Sequence, residues 1–137
     1  MNLPISEKLT YWPSESAWLA RLEASDLGIA PDPTLCFPLE IQLPGTPEGF
    51  DSNHLPFVEL ALTQVPQLRD TATRYLAAFV REPQEDFCLE GLYFGSAPGE
   101  LELLLAYTHD IYGQWRVRFH HVPHQGFQTF YFAREQT

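Results

Sequence analysis

The stretch ELELLLAYTHDIYGQWRVRFHHVP, residues 100–123, holds two glutamates, two arginines, three histidines and a tryptophan in a chain with only eight lysines and arginines in all. Two chemistries suit those residue types. His120, His121 and the nearby His124 are imidazoles of the kind that ligate zinc, and His109 beside Asp110 sets a base next to a carboxylate. Spacing weighs against both. Adjacent strand residues project to opposite faces, so His120 and His121 cannot aim at one ion unless the strand ends between them. The following loop has no cysteine, aspartate or glutamate to complete a tetrahedral set. No serine or cysteine stands in a G-x-S-x-G elbow to use the His109–Asp110 pair, and GSAPGE is too short for a phosphate-cradling loop and lacks its lysine. The expectation is no catalytic residue, no metal and no cofactor, with Asp110 and Gly113 serving a turn.

The elements that carry these residues account for them more simply. From residue 87 onward the hydrophobic period is two, in segments 87–94, 99–107, 114–121 and 127–134 parted by GSAPG, THDIYG and VPHQG. Short loops between alternating segments predict an antiparallel meander. Setting Leu105 opposite Trp115 places Leu103 against Val117 and Leu101 against Phe119, an apolar inner side that Phe127 and Tyr131 continue. The same register puts Glu102 opposite Arg118 and Glu100 opposite His120 on the outer side, pairs worth roughly 0.2–1 kcal/mol each. Phe130 and Phe132 share that outer side with Gln128 and Arg134, and aromatics exposed together mark a contact site.

Ahead of the meander, KLTYW predicts a brief strand, and PSESAWLARLEASDLG predicts a short helix over about 14–25 that stops at Gly28. LCFPLEIQL alternates as a strand, and Pro38, which has no N–H to give a ladder, assigns it to a sheet edge. The longest helical stripe runs through Val58, Ala61, Leu62, Val65, Leu68, Ala72, Tyr75, Leu76, Phe79 and Val80, a core-facing helix over about 55–81. Pro66 would clash with the carbonyl of Leu62, so a kink or a break is expected there. A strand at 57–63 followed by a helix capped by Thr63 fits the pattern less well. The expected fold is α+β, one domain over 1–137: a meander of about four C-terminal strands plus one or two N-terminal strands, packed by the long helix and the short one.

The chain carries a formal charge of −10, and the excess lies in front: residues 1–99 hold 14 acids and 5 bases, residues 100–137 hold 4 acids and 3 bases. Such a field disfavours nucleic acid and anionic membrane surfaces as partners and favours a basic protein. No run approaches the roughly 20 apolar residues that span a bilayer. Cys36 and Cys88 sit in apolar runs, where a thiol behaves as a small buried hydrophobe; one disulfide is open to them. Since the first residues lack a basic leader and an apolar segment, the reading is a cytoplasmic protein with reduced thiols.

LPFVELALTQVPQLRDTATRYLAAFV, then LEGLYFGSAPGELELLLAY, then DIYGQWRVRFHHVPHQGFQTFYFAREQ resembles a loosely defined group of small bacterial domains of unknown function, some of which sit beside polymorphic toxins as immunity proteins. The likeness spans about residues 50–137 and rests on packing and turn positions; the chain ends AREQT, without the closing aromatic of that group. It implies a fold and, for some members, a toxin-binding role, and it brings no catalytic residues. With the charge, it points to an acidic protein-binding module with Glu40, Glu48, Asp51, Asp70, Glu82, Glu85 and Asp86 as a rim around Phe130 and Phe132. The alternative is a small enzyme or ligand-binding domain with a pocket between helix and sheet, using His109, Asp110, His121 or His124. A third option is a homodimer through the 35–43 edge or the outer aromatics.

Overall fold

Eight strands and three α-helices are seen in the computed structural model, which describes residues 4–95, 97 and 99–136. In chain order the strands are β1 (Thr10–Trp12), β2 (Ala17–Leu22), β3 (Leu35–Thr46), β4 (Gly49–Phe50), β5 (Phe87–Phe94), β6 (Glu100–Tyr107), β7 (Gly113–Val122) and β8 (Gly126–Gln136). The helices are α1 (Ala24–Leu27), α2 (Leu55–Leu62) and α3 (Val65–Ala77). All strands belong to one sheet of order β1-β2-β3-β5-β6-β7-β8, with β4 paired to the end of β3. Every pairing is antiparallel except β3 with β5, which run parallel because the chain between them crosses over through α2 and α3. The fold is α+β.

The meander follows the register read from the sequence. Leu105 faces Trp115, Leu103 faces Val117, Leu101 faces Phe119, Glu102 faces Arg118 and Glu100 faces His120. Of the expected GSAPG loop between β5 and β6, Ser96 and Pro98 lie outside the described residues. The last strand departs from simple alternation. Arg118 pairs with Tyr131 but Phe119 pairs with Thr129, so Phe130 is an extra residue in β8 and the faces switch there. Tyr131, expected inside, therefore lies on the outer face, and Phe132, expected outside, packs half-buried against Tyr75, Phe79 and Trp115.

The long helical stripe is two helices. Thr63 and Gln64 separate α2 from α3, and Pro66 falls in the first turn of α3, where its missing N–H deprives no helical bond. Val58, Ala61, Val65, Ala72 and Leu76 are fully buried against Leu39, Ile41, Leu43, Leu89, Leu92 and Leu103 of the sheet, each valine, leucine or isoleucine contributing about 1.5–3 kcal/mol by leaving water. Phe79, expected in that stripe, lies beyond the last turn of α3 and stands 60% exposed.

The front half departs most from expectation. AWLARL is strand β2 rather than a helix, and only Ala24–Leu27 form a helical turn, closed by Gly28 at a φ of 70°. Pairing to β1 on one side and β3 on the other satisfies the β2 backbone and overrides its helical propensity. The N-terminal strands thus number four, not one or two. Strand β3 is interior rather than an edge. Its ladder to β2 ends at Leu39 and its ladder to β5 skips from Leu35 to Glu40, so Pro38 sits in the gap of both and no bond is asked of it. A Cβ at Gly91 would stand 2.8 Å from the Glu40 carbonyl oxygen, so glycine lets β5 approach β3 at this irregularity.

The parallel pairing also corrects the thiol reading. It brings Cys36 and Cys88 to a Cα separation of 5.8 Å, and the two form a disulfide across β3 and β5. Among the described residues, no helix is long and apolar enough to cross a membrane.

Candidate functional site

The helices cover one face of the sheet, and the other face carries the charged residues of β6 and β7. Glu102 accepts from Arg116 Nη1 at 2.7 Å and from Arg118 Nε at 2.8 Å, and Arg116 Nε lies 3.2 Å from Glu135 on β8. The Arg118 guanidinium lies 4.8 Å from the centre of the Tyr131 ring, and His120 stacks on Phe130 at 3.8 Å. Further along, the Tyr93 hydroxyl donates to Glu40 at 2.6 Å, and burial together with this carboxylate pushes the phenol well above its ordinary range. A shallow groove of about 450 Å³ runs over Tyr93, Glu100, Glu102, Arg118, His120 and Phe130. Beside it, Glu40 and Glu90 line a second groove of about 340 Å³, where burial first and the Glu40 charge second raise the Glu90 carboxyl. Glu102 and Glu135 are paired with arginines on this face, whereas Glu40 and Glu90 face each other as like charges.

Another group of acids is at one end of the strands. There β3 and β5 begin, β6 ends, β7 begins and β8 ends, and the loops that join them carry Glu82, Glu85, Asp86, Asp110, Ile111 and Tyr112. Partial burial and the charges of Asp86, Glu82 and Glu85 hold the Tyr107 phenol above its ordinary value, and the pairing of Phe87 with Tyr107 sets the loop before β5, which carries these three carboxylates, next to the end of β6. Thr108 donates to the Asp86 carbonyl, and His109 Nε2 lies 3.6 Å from the Asp86 carboxylate. Asp110 is held by two bonds from Arg134, at 2.7 and 2.8 Å, and this keeps its carboxyl below the usual carboxylate range. Ile111 and Tyr112 stand 78% and 61% exposed beside it.

The remaining candidates are dispersed. Asp70 is exposed on α3 next to Arg69. Glu40 is half-buried on the open face, whereas Glu48 and Asp51 follow the far end of β3, at the opposite end of the strands from Asp86. Asp51 accepts from the Asn53 amide at 3.0 Å, and His54 lies 3.7 Å away. Phe130 is exposed on the open face, while Phe132 is on the helix side and forms no common patch with it.

His109 and Asp110 engage Asp86 and Arg134 rather than each other. His120 stacks on Phe130, His121 packs on Phe57 and Phe127, and His124 occupies a turn at a φ of 67°. Among the described residues, no three His, Cys, Asp or Glu side chains group so as to hold a metal ion. The space between helices and sheet, where a pocket would serve an enzyme, is filled by Leu39, Val58, Leu76 and Leu103, all fully buried.

Sequence reasoning overlooked Arg69. It stands four residues after Val65 and three before Ala72, hence on the buried stripe, and is 6% exposed. Its guanidinium donates to the carbonyls of Gln84 at 2.6 Å and Phe87 at 2.7 Å, tying the loop that carries Glu85 and Asp86 to α3. The pair Tyr93–Glu40 had no sequence signal, because it depends on the parallel pairing of β3 and β5.

Comparison with family models, with curated proteins and with solved structures finds no match to this chain.

Proposed function

We propose that the protein is an acidic binding module, of the immunity type its sequence resembles, that docks on a basic protein partner through the end of the molecule holding Glu82, Glu85 and Asp86. The observation that supports this reading is that Glu82, Glu85 and Asp86 share the loop before β5, which Thr108 bonds at the Asp86 carbonyl, with the exposed Ile111 and Tyr112 in the neighbouring loop. Acidic groups steer a basic surface into place over a Debye length of about 10 Å at 0.1 M salt, and the apolar pair supplies area to desolvate on contact. Of the wider rim, Asp70 adjoins this end through Arg69, whereas Glu40, Glu48 and Asp51 belong to other surfaces. Arg69, bonded to the Gln84 and Phe87 carbonyls, Arg81 and Arg134 are basic residues near it, and Arg134 is held by Asp110.

A cytoplasmic location remains part of this reading, and the Cys36–Cys88 bond pulls against it, since disulfides are rare where glutathione keeps thiols reduced. Thiol titration of the protein from its native compartment decides that point. The function itself is tested by affinity capture at low and high ionic strength with the native chain and with Glu82, Glu85 and Asp86 all changed to Lys. A partner retained at low salt, released by high salt and lost by the triple variant supports the proposal. A partner held equally by both chains, or one indifferent to salt, refutes it.

A further inference from the structure

The strand order leaves β1 and β8 at the two edges of the sheet, and the edges differ. Strand β1 has three residues; β8 has eleven, GFQTFYFAREQ, with no proline and no lysine among them. A long edge strand presents a row of backbone N–H and C=O groups that only another extended chain can match, and proteins ordinarily blunt such edges with lysine, proline or shortness. The bulge at Phe130 interrupts the edge once and leaves Tyr131–Gln136 as a regular stretch paired on one side only.

Apolar exposure is concentrated beside this edge. Six large hydrophobic side chains are exposed among the described residues, and three of them flank β8: Phe130 and Tyr131 on the open face, each 44% exposed, and Phe79 on the helix face with its ring 5.2 Å from Phe132. Charge permits a close approach here. The only charged residues in β8 are Arg134, bonded to Asp110, and Glu135, paired with Arg116.

We propose that two copies of this chain join β8 to β8, antiparallel about a two-fold axis, and so extend one sheet through both. An axis at Ala133 keeps the pairing from Tyr131 to Glu135 within the regular stretch and sets Arg134 opposite the uncharged Phe132 of the other copy, not opposite its own mate. A head-to-tail chain through β1 and β8 is disfavoured because three residues cannot match eleven, so the contact closes as a dimer. Each copy carries −10, so added salt tightens the dimer by screening repulsion. That response is opposite in sign to docking on a basic partner, and it uses different residues; either proposal can therefore fail without the other.

Sedimentation equilibrium of the full chain, over a range of protein and salt concentrations, is the test. The expected species has twice the 15.7 kDa of one chain, and its dissociation constant falls as salt rises. Changing Phe79 and Tyr131 together to Glu adds like charge beside the axis without touching a fully buried position, and it weakens the dimer at least about tenfold. Hydrogen exchange on the native chain provides the second measurement: amides of Tyr131–Gln136 slow as concentration rises, while those of Thr10–Trp12 do not. A chain that stays monomeric up to about 1 mM, a weak-complex limit, overturns the proposal. So does a dimer whose β8 amides exchange at the monomer rate, or one the double variant leaves intact.

Discussion

Replacing Arg69 by methionine removes a buried guanidinium while keeping the length of its stem, and so isolates the clamp between α3 and the loop before β5. The native side chain donates to the Phe87 carbonyl from Nε at 3.2 Å and Nη2 at 2.7 Å, and to the Gln84 carbonyl from Nη2 at 2.6 Å. Each bond to a charged donor contributes about 1.5–3 kcal/mol net, and a buried acceptor left without a donor costs about 1–3 kcal/mol. Two carbonyls lose their donor together, which gives a gross cost of about 3–5 kcal/mol. Taking the charge out of the interior returns part of that, because burying a guanidinium is itself unfavourable. The exposed Asp70, 3.2 Å from Nη1, is rehydrated when its partner goes. The expected net loss is about 2–4 kcal/mol, a large share of the 5–15 kcal/mol typical of a domain. Urea unfolding followed by tryptophan fluorescence measures it, with Arg69→Lys and Asp70→Asn as controls. Lysine keeps the charge but not the fork, and should fall between native and Arg69→Met; Asp70→Asn should cost under about 1 kcal/mol, as exposed pairs do. An Arg69→Met variant within about 0.5 kcal/mol of native, the range of an ordinary surface change, refutes the argument that this arginine fixes the loop.

Three further outcomes are expected. Reducing the Cys36–Cys88 bond, which closes a separation of 52 residues, costs on the order of 4 kcal/mol in the chain-entropy account, read as a drop in the urea midpoint on adding reductant. Glu102→Gln weakens the bonds from Arg116 and Arg118 and leaves two guanidinium groups facing a neutral amide, a loss of about 1–2 kcal/mol by thermal unfolding that shrinks in high salt. The raised Glu90 carboxyl binds its proton more tightly folded than unfolded, so its ionisation lowers stability as pH rises from its ordinary value of 4.5 through the folded one. Glu90→Gln therefore raises the melting temperature at pH 7 relative to native, and the gain disappears below about pH 4, where native Glu90 is protonated in both states.

The meander was legible because each of its strands has one greasy and one polar side, and a period of two admits a single hairpin register once Leu105 is set against Trp115. The break at Pro66 was legible for an equally local reason, the missing N–H. What escaped was decided by distant partners. AWLARL reads as a helix until β1 and β3 are placed on either side of it, and Pro38 reads as an edge marker until both ladders are seen to skip it. The disulfide and the Tyr93–Glu40 bond escaped together, since both follow from the parallel β3–β5 pairing, whose crossover carries no short-range signal. At the candidate site the acids themselves were visible but their grouping was not. Composition names seven carboxylates; only strand direction separates Glu48 and Asp51 from Glu85 and Asp86.

The distribution of compensation, rather than the number of charges, decides where a partner can be drawn in. On the open face Glu102 lies between two arginines, which cancel its charge within a few ångströms, whereas Glu40 is bonded to the neutral Tyr93 hydroxyl and keeps its charge. At the loop end, Glu82, Glu85 and Asp86 follow one another closely in the loop before β5. Charges that add at one place set up a field that extends beyond contact, whereas charges that alternate do not. On the proposed reading a basic partner would be turned toward the loops, and exchanges of charge within the hydrogen-bonded sheet face would leave that approach unchanged. Exchanging Glu102 and Arg118 for each other tests the distinction: stability should fall modestly, while the salt dependence of partner capture should stay as it was.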